Sequence, residues 1–179
     1  IALVSDAGTP LVSDPGYRLV RAVQDAGIAV CAVPGASAPV AALSIAGLAT
    51  DRFVFEGFLP ARKAARQTRL NALAAEPRTL ILFEAPHRLA AMLADCVACF
   101  GPEREAALAR ELTKVHESCR RAPLDELSRR VATGVEPARG ECVVLIAGAP
   151  EPSGRDGART RSASTSVPTV SSTGNRSAS

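Results

Sequence analysis

Short apolar runs, each broken by a Gly- or Pro-bearing loop and followed by a helical pattern, recur along the first third of the chain. Ile1–Val4 runs into Ser5-Asp6, and Ile28–Val33 runs into Pro34-Gly35. Runs of this length bounded by loop residues predict buried parallel strands. Between them, Ser13-Asp14-Pro15-Gly16 predicts a helix start, with a capping side chain and Pro in the first turn. Leu19, Val20 and Val23 give that helix an apolar face, and Gly27 stops it. A second helix of small residues is expected from Ser37 to Ala46. The order β–loop–α–β–loop–α predicts a parallel α/β layer. A parallel strand needs a neighbour, and the chain opens at Ile1 without Met. It therefore reads as a fragment that lacks its natural N-terminal part.

Phe53-Val54-Phe55 predicts a third strand, and Glu56-Gly57-Phe58-Leu59-Pro60 reads as a junction. Beyond it, strands are expected at Thr79–Phe83, Ala106–Arg110, Val115–Arg120 and Cys142–Ile146. Helices are expected at Pro86–Phe100 and at Leu124–Ala132, the latter opened by Pro123. That β–α–β–β–α–β order predicts a second, mixed-sheet α/β unit. The expected organisation is a first α/β unit over 1–56, a basic linker and helix over 57–77, and the mixed-sheet unit over 78–149. Residues 150–179 hold twelve Ser or Thr and no Leu, Ile, Phe or Met, so a disordered tail is expected there.

Lys plus Arg number 21 against 18 Asp plus Glu, a net charge of +3. That balance is too mild to argue nucleic-acid binding from bulk charge. No apolar run reaches the roughly 18–20 residues that span a bilayer, and no secretory leader opens the sequence. Cys31, Cys96, Cys99, Cys119 and Cys142 are odd in number and scattered, which fits reduced thiols and a cytoplasmic location. Cys96 and Cys99 form a CxxC inside an Ala/Leu-rich helical stretch, with no partner pair at zinc spacing. They read as core thiols, and no metal site is expected.

Three places could carry chemistry. The loops Ser5–Pro10 and Pro34–Ala38 would follow two neighbouring strands, at the edge where open α/β sheets bind ligands. Gly8 and Gly35 let backbone N–H groups approach a ligand, and the helix starts beyond each loop favour a carboxylate or phosphate. Neither loop is GxGxxG or a P-loop, so the residues indicate a small polar ligand, or ordinary βα turns. The Glu84-Ala85-Pro86-His87-Arg88 turn is the second place. The third is Arg110, Glu111, Lys114, His116 and Glu117, where Glu111 and Lys114 also read as a solvated surface pair. Finally, Arg62, Arg66 and Arg69 recur at i, i+4 and i+7 in a stretch with Lys63 and no acid. They predict one basic helical face, either solvated or RNA-binding.

The blocks Val4-Ser5-Asp6-Ala7-Gly8-Thr9-Pro10, Val12-Ser13-Asp14-Pro15-Gly16-Tyr17 and Pro34-Gly35-Ala36-Ser37-Ala38 together resemble the ribosomal RNA small subunit methyltransferase I family. So do Glu56–Pro60, Glu84–Arg88, Ala109–Lys114 and Gly140-Glu141, in the same order. That family lies within the tetrapyrrole methylase superfamily. The resemblance implies two α/β domains with the methyl donor, S-adenosyl-L-methionine, in the cleft between them. It implies methylation of the ribose 2′-hydroxyl of a decoding-centre cytidine (C1402) of 16S rRNA in the small ribosomal subunit, by a homodimer. Donor contacts would come from Asp6, Gly8, Thr9, Pro10, Pro34, Gly35, Ser37 and Ala38. Glu84, Arg88, Glu111 and Lys114 are the catalytic candidates, and Arg62, Lys63, Arg66 and Arg69 would hold RNA phosphates. The alternatives are a tetrapyrrole or protein acceptor on the same fold, or an inactive remnant that binds RNA.

Overall fold

A computed structural model describes residues 1–150, and the expected Ser/Thr-rich tail lies outside the described residues except for Pro150. The elements are α1 (Tyr17–Asp25), α2 (Ala38–Ile45), β1 (Phe53–Phe58), α3 (Lys63–Leu73), β2 (Thr79–Glu84), α4 (Pro86–Phe100), β3 (Glu105–Arg110), β4 (Ser118–Pro123), α5 (Leu124–Ala132) and β5 (Cys142–Ile146). The strands form one mixed sheet in the order β1-β2-β5-β3-β4. Only β1 and β2 run parallel; the other neighbours are antiparallel.

Apolar periodicity explains the layers. Along β2, Leu80 and Leu82 face one side, and Ile81 faces the other. On the first side, α4 buries Leu89, Met92, Leu93, Cys96 and Phe100, a helical stripe at three- and four-residue spacing. Leu124, Leu127 and Val131 of α5 and Leu70 and Leu73 of α3 complete that core. On the second side, Ala42 and Leu43 of α2 cover Ile81, Ala107, Ala109, Val143 and Leu145. Each such aliphatic side chain, fully buried, contributes about 1.5–3 kcal/mol. All five residues of β5 are buried, so its Cys-Val-Val-Leu-Ile run suits a strand covered on both faces. Strand β4 lies at an edge and carries exposed Arg120 and Arg121, charges that discourage further pairing there.

Several expectations change. Ile1–Val4 and Ile28–Val33 are not strands: neither segment joins a ladder, and Ile1, Val4, Ile28 and Val33 are exposed. An apolar run becomes a strand only where a neighbouring strand takes its backbone N–H and C=O groups; here neither run pairs with a strand among the described residues, and the Ile28 N–H turns back to the Val23 carbonyl at 3.1 Å. The parallel layer expected in the first third is accordingly not formed among the described residues. Helix α1 forms at its expected place but buries none of its residues. It starts at Tyr17, after Pro15, because Ser13 (φ 57°) and Gly16 (φ 133°) hold the chain in left-handed turns.

Strand β1 runs through the expected junction to Phe58, with a register shift between Phe55 and Gly57. Its pairing with β2 joins Phe53–Glu56, expected in the first unit, to the sheet of the second. Strand β4 starts at Ser118 rather than at Val115, which is exposed beyond a tight turn. Cys96 lies in the core against Met92, and Cys99 packs beside it half-buried.

Candidate functional site

One edge of the sheet gathers the C-terminal ends of β1, β2 and β3 and the N-terminal ends of β4 and β5. There the two Gly-bearing loops meet, although 27 residues separate their contact: Thr9 Oγ1 donates to the Ala36 carbonyl at 3.1 Å. The bulge in β1 lets the first loop close in. Gly57 has φ 65°, and a Cβ there would stand 3.0 Å from Ser13 Oγ.

Between these loops and the sheet edge lies a cavity of about 370 Å³. Gly8, Thr9, Ser37 and Ala38 wall one side. Phe58, Phe83, Ala85 and Pro86 wall another, and the segment from Gly140 to Val143 closes a third. Phe58 and Phe83 meet edge to face at 5.7 Å between ring centres, so this wall is apolar and stiff. Ser37 precedes α2 in extended conformation, and its hydroxyl makes no capping bond. A second cavity of about 280 Å³ shares Ala7, Gly8, Ala38, Glu141 and Val143 with the first and adds Asp6, Thr113 and Lys114. The loops thus bring Asp6, Gly8, Thr9, Ser37 and Ala38 to cavity walls, whereas Pro10, Pro34 and Gly35 line neither.

The rim carries an ordered charge cluster. Lys114 Nζ lies 3.1 Å from Glu111 Oε1 and 3.2 Å from Glu141 Oε2. Glu111 Oε1 also accepts the Glu141 N–H at 2.8 Å. That backbone donor, with Lys114 next, holds the Glu111 carboxyl below the usual carboxylate range. Its two carboxylate partners hold Lys114 above the usual lysine range. Both groups are charged at neutral pH, so Lys114 offers a cation and not a base. The turn is tight: Glu111 and Thr113 have positive φ, and a Cβ on Gly140 would collide with the Glu111 side chain.

Glu84 sits differently. Its side chain is wholly buried, Oε1 accepts the Ala85 N–H at 2.8 Å, and Arg88 Nε approaches to 3.2 Å. Arg88 in turn donates to the carbonyl of Leu59 at 2.8 Å. This pair pins the N-terminus of α4 to the end of β1, where a carboxylate is favourable. Glu84 also lines the first cavity, and among the described residues its second carboxylate oxygen, Oε2, is buried without a hydrogen-bond partner.

The basic face divides. Arg62 and Lys63 are exposed. Arg69 is held by Glu56 through two parallel hydrogen bonds of 2.8 and 2.9 Å. Arg66 is 5% exposed, and its Nε and Nη2 lie 2.7 and 2.6 Å from Asp95 Oδ2. The expectation that Arg66 meets RNA is therefore corrected: its charge is consumed between α3 and α4. Two wall residues escaped the sequence reading. Asp14 and Ser13 line the first cavity. The Ser-Asp-Pro-Gly pattern reads as a helix cap, and only the positive φ of Ser13 turns the segment toward the sheet. Among the described residues no cluster of three His, Cys, Asp or Glu could hold a metal ion, and no helix is long and apolar enough to cross a membrane.

The profile of the family described as Tetrapyrrole (Corrin/Porphyrin) Methylases matches residues 1–128. A protein of Pseudomonas aeruginosa named Ribosomal RNA small subunit methyltransferase I is 58% identical over 87% of this chain and 55% of its own length. Proteins of the same name from Escherichia coli O157:H7 and Mycobacterium tuberculosis are 52% and 54% identical, each over 83% of this chain. The chain spans about half the length of the curated relatives it matches. Among solved structures, diphthine synthase aligns with TM-score 0.59 at 16% identity, over 78% of this chain and 57% of that one. The methyltransferase CobJ aligns with TM-score 0.57 at 22% identity, over 79% and 62%. The Thermus thermophilus uroporphyrin-III C-methyltransferase complexed with S-adenosylhomocysteine gives 0.52 at 21%, over 78% and 62%. These three show the fold, and the profile match places the chain's family: it belongs to the tetrapyrrole methylases.

Proposed function

We infer that the chain is part of an S-adenosyl-L-methionine-dependent methyltransferase whose acceptor is 16S rRNA of the small ribosomal subunit. The acceptor atom in this reading is the 2′-hydroxyl of a decoding-centre cytidine, C1402. One observation carries it: the two Gly-bearing loops line a cavity at the sheet edge, opposite an apolar aromatic wall. The relatives' shared name supplies the acceptor class.

The cavity suits the donor. Its volume, about 370 Å³, falls in the range of small-molecule sites. Phe58, Phe83 and Pro86 offer a purine a flat apolar seat, while Thr9, Ser37 and Asp14 supply polar groups. The backbone N–H groups that open α2 suit a carboxylate. When bound, the donor supplies a methyl group on a positively charged sulfur. The protein's work is then to orient that methyl for in-line attack and keep water away. The shared wall of the two cavities, at Gly8, Ala38 and Glu141, is where a ribose hydroxyl would approach. In this reading a carboxylate at the walls, Asp6, Asp14, Glu84 or Glu141, would take a proton from it. Arg62 and Lys63, exposed beside the Pro60 end of the wall, would hold phosphates; phosphate contacts position RNA without reading its sequence.

The test is methyl transfer from labelled donor to unmodified small ribosomal subunits, with the product nucleotide mapped by mass spectrometry and the Pseudomonas aeruginosa relative as the positive control. Label on one cytidine ribose is the expected result. Label on protein or on a tetrapyrrole, with none on rRNA, would replace the acceptor named here.

A further inference from the structure

The last rung of the sheet carries a row of opposed residues on the α4–α5 side: Glu84 beside Cys142, Cys142 beside Arg110, and Arg110 beside Ser118. Cys142 lines the first cavity. Beyond it the row becomes basic. Arg110 from β3, Arg120 from β4 and Arg130 from α5 converge on the single carboxylate of Glu136, at 3.6, 3.2 and 4.0 Å. Glu126, at 3.9 Å from Arg130, is the other carboxylate of the cluster. Glu136 and Arg110 are 7% and 8% exposed, so most of this charge is withdrawn from water.

The donors outnumber the acceptors. Three guanidinium groups carry about fifteen N–H donors, while the two carboxylates and the Arg139 carbonyl accept about ten. Arg110 Nε turns to the Arg139 carbonyl at 3.3 Å, and Arg120 Nε takes Glu136. Among the described residues, the buried Arg130 Nε and Ser118 Oγ have no hydrogen-bond partner. Arg120 remains about half exposed and forms the open side. A half-open basket of guanidinium groups with spare, partly desolvated donors matches a phosphate. Its place matters as well. Ser118 is two strand spacings, roughly 10 Å, from the cavity residue Cys142.

We propose that Arg110, Arg120 and Arg130, gathered on Glu136, form a phosphate-binding site that takes a backbone phosphate of a nucleotide flanking the acceptor. The source of the phosphate rests on the rRNA reading above; the site itself does not. With Arg62 and Lys63 at the β1 end of the same edge, it gives the RNA two anchors on opposite sides of the cavity.

Arg120→Gln tests this in the full chain, because Glu136 keeps Arg110 and Arg130 and the fold is retained. Arg121→Gln is the matched control: it removes one charge from the same strand, on the other face, where Arg121 meets Glu105 and the Gly47 carbonyl. Inorganic phosphate should raise the melting temperature of the wild-type chain and of Arg121→Gln, and much less that of Arg120→Gln. For a single-stranded oligoribonucleotide, Arg120→Gln should lower the slope of log affinity against log salt by about 0.7, and Arg121→Gln should not. Equal effects of the two variants in both assays would overturn the site. Phosphate stabilisation lost only in Arg120→Gln, with RNA binding insensitive to it, would keep the site and overturn the RNA as its ligand. RNA left unbound by the wild-type chain would count against the rRNA reading, and the phosphate arm would still decide the site.

Discussion

Replacing Arg66 separates structure from RNA contact more sharply than any other change on α3. Arg66 and Asp95 are each 6% exposed at the side chain, and Gln67 Nε2 adds a hydrogen bond of 2.8 Å to the second carboxylate oxygen. Arg66→Met leaves Asp95 buried with only Gln67 to face. Breaking a buried pair from one side costs about 3–5 kcal/mol, because the remaining charge is uncompensated. For a chain of this size that lowers the melting temperature by roughly 10 °C. Arg66→Met combined with Asp95→Leu removes both charges and should recover most of the loss, since an apolar pair of similar volume fills the same space. Thermal unfolding followed by circular dichroism measures both, and filter binding to an oligoribonucleotide runs alongside. The double variant should bind RNA like the wild type, whereas Arg62→Gln with Lys63→Gln should weaken binding and reduce its salt dependence. An Arg66→Met chain that melts normally but binds RNA poorly would refute the reasoning.

Further outcomes follow from the same geometry. Gly57→Ala forces a side chain into a left-handed position against Ser13 and should cost about 1–3 kcal/mol, with donor affinity measured by calorimetry falling as the first loop is displaced. In a timed thiol titration, exposed Cys31 should react first; Cys142, whose thiol burial pushes up to about 11, and core Cys96 should react only on unfolding. The Glu111 carboxyl is lowered, so its contribution is present above the ordinary carboxylate range and is lost as pH falls through its lowered value. The melting-temperature gap between wild type and Glu111→Gln should therefore close on acidification, and a gap that widens would contradict the assignment. Lys114 is raised, so its contribution is held below the ordinary lysine range and is lost only as pH rises through its raised value.

Most elements of the second half are legible in the residues, the helices by a periodic apolar stripe and β5 by a continuous apolar run; β4, with its two exposed arginines, is the one displaced. Pro86–Phe100, Leu124–Ala132 and Cys142–Ile146 fall at the expected bounds. The first third fails for the opposite reason. Ile1–Val4 and Ile28–Val33 have strand composition, but pairing is a property of a neighbour and not of the run itself. The two Gly-bearing loops meet as expected, although the parallel layer from which that was read does not form among the described residues. Which of their residues face the cavity was not legible. Pro10, Pro34 and Gly35 line neither cavity, and Asp14 lines the first beside Ser13, whose positive φ no composition announces. The basic spacing on α3 was visible, but the spacing does not say that Asp95 of α4 lies opposite Arg66.

The central claim is that the cavity between these loops and the sheet edge holds the methyl donor. Calorimetric titration of S-adenosyl-L-methionine into the chain and into Ser37→Trp tests it most directly. Ser37 lines the cavity in an extended conformation and makes no capping hydrogen bond, so the indole fills the space without removing a structural contact. The account predicts one donor bound by the wild-type chain and none by Ser37→Trp, with melting temperatures within about 2 °C of each other, as expected of a change away from the core. Equal donor affinity in the two chains, or none in the wild type, would contradict it.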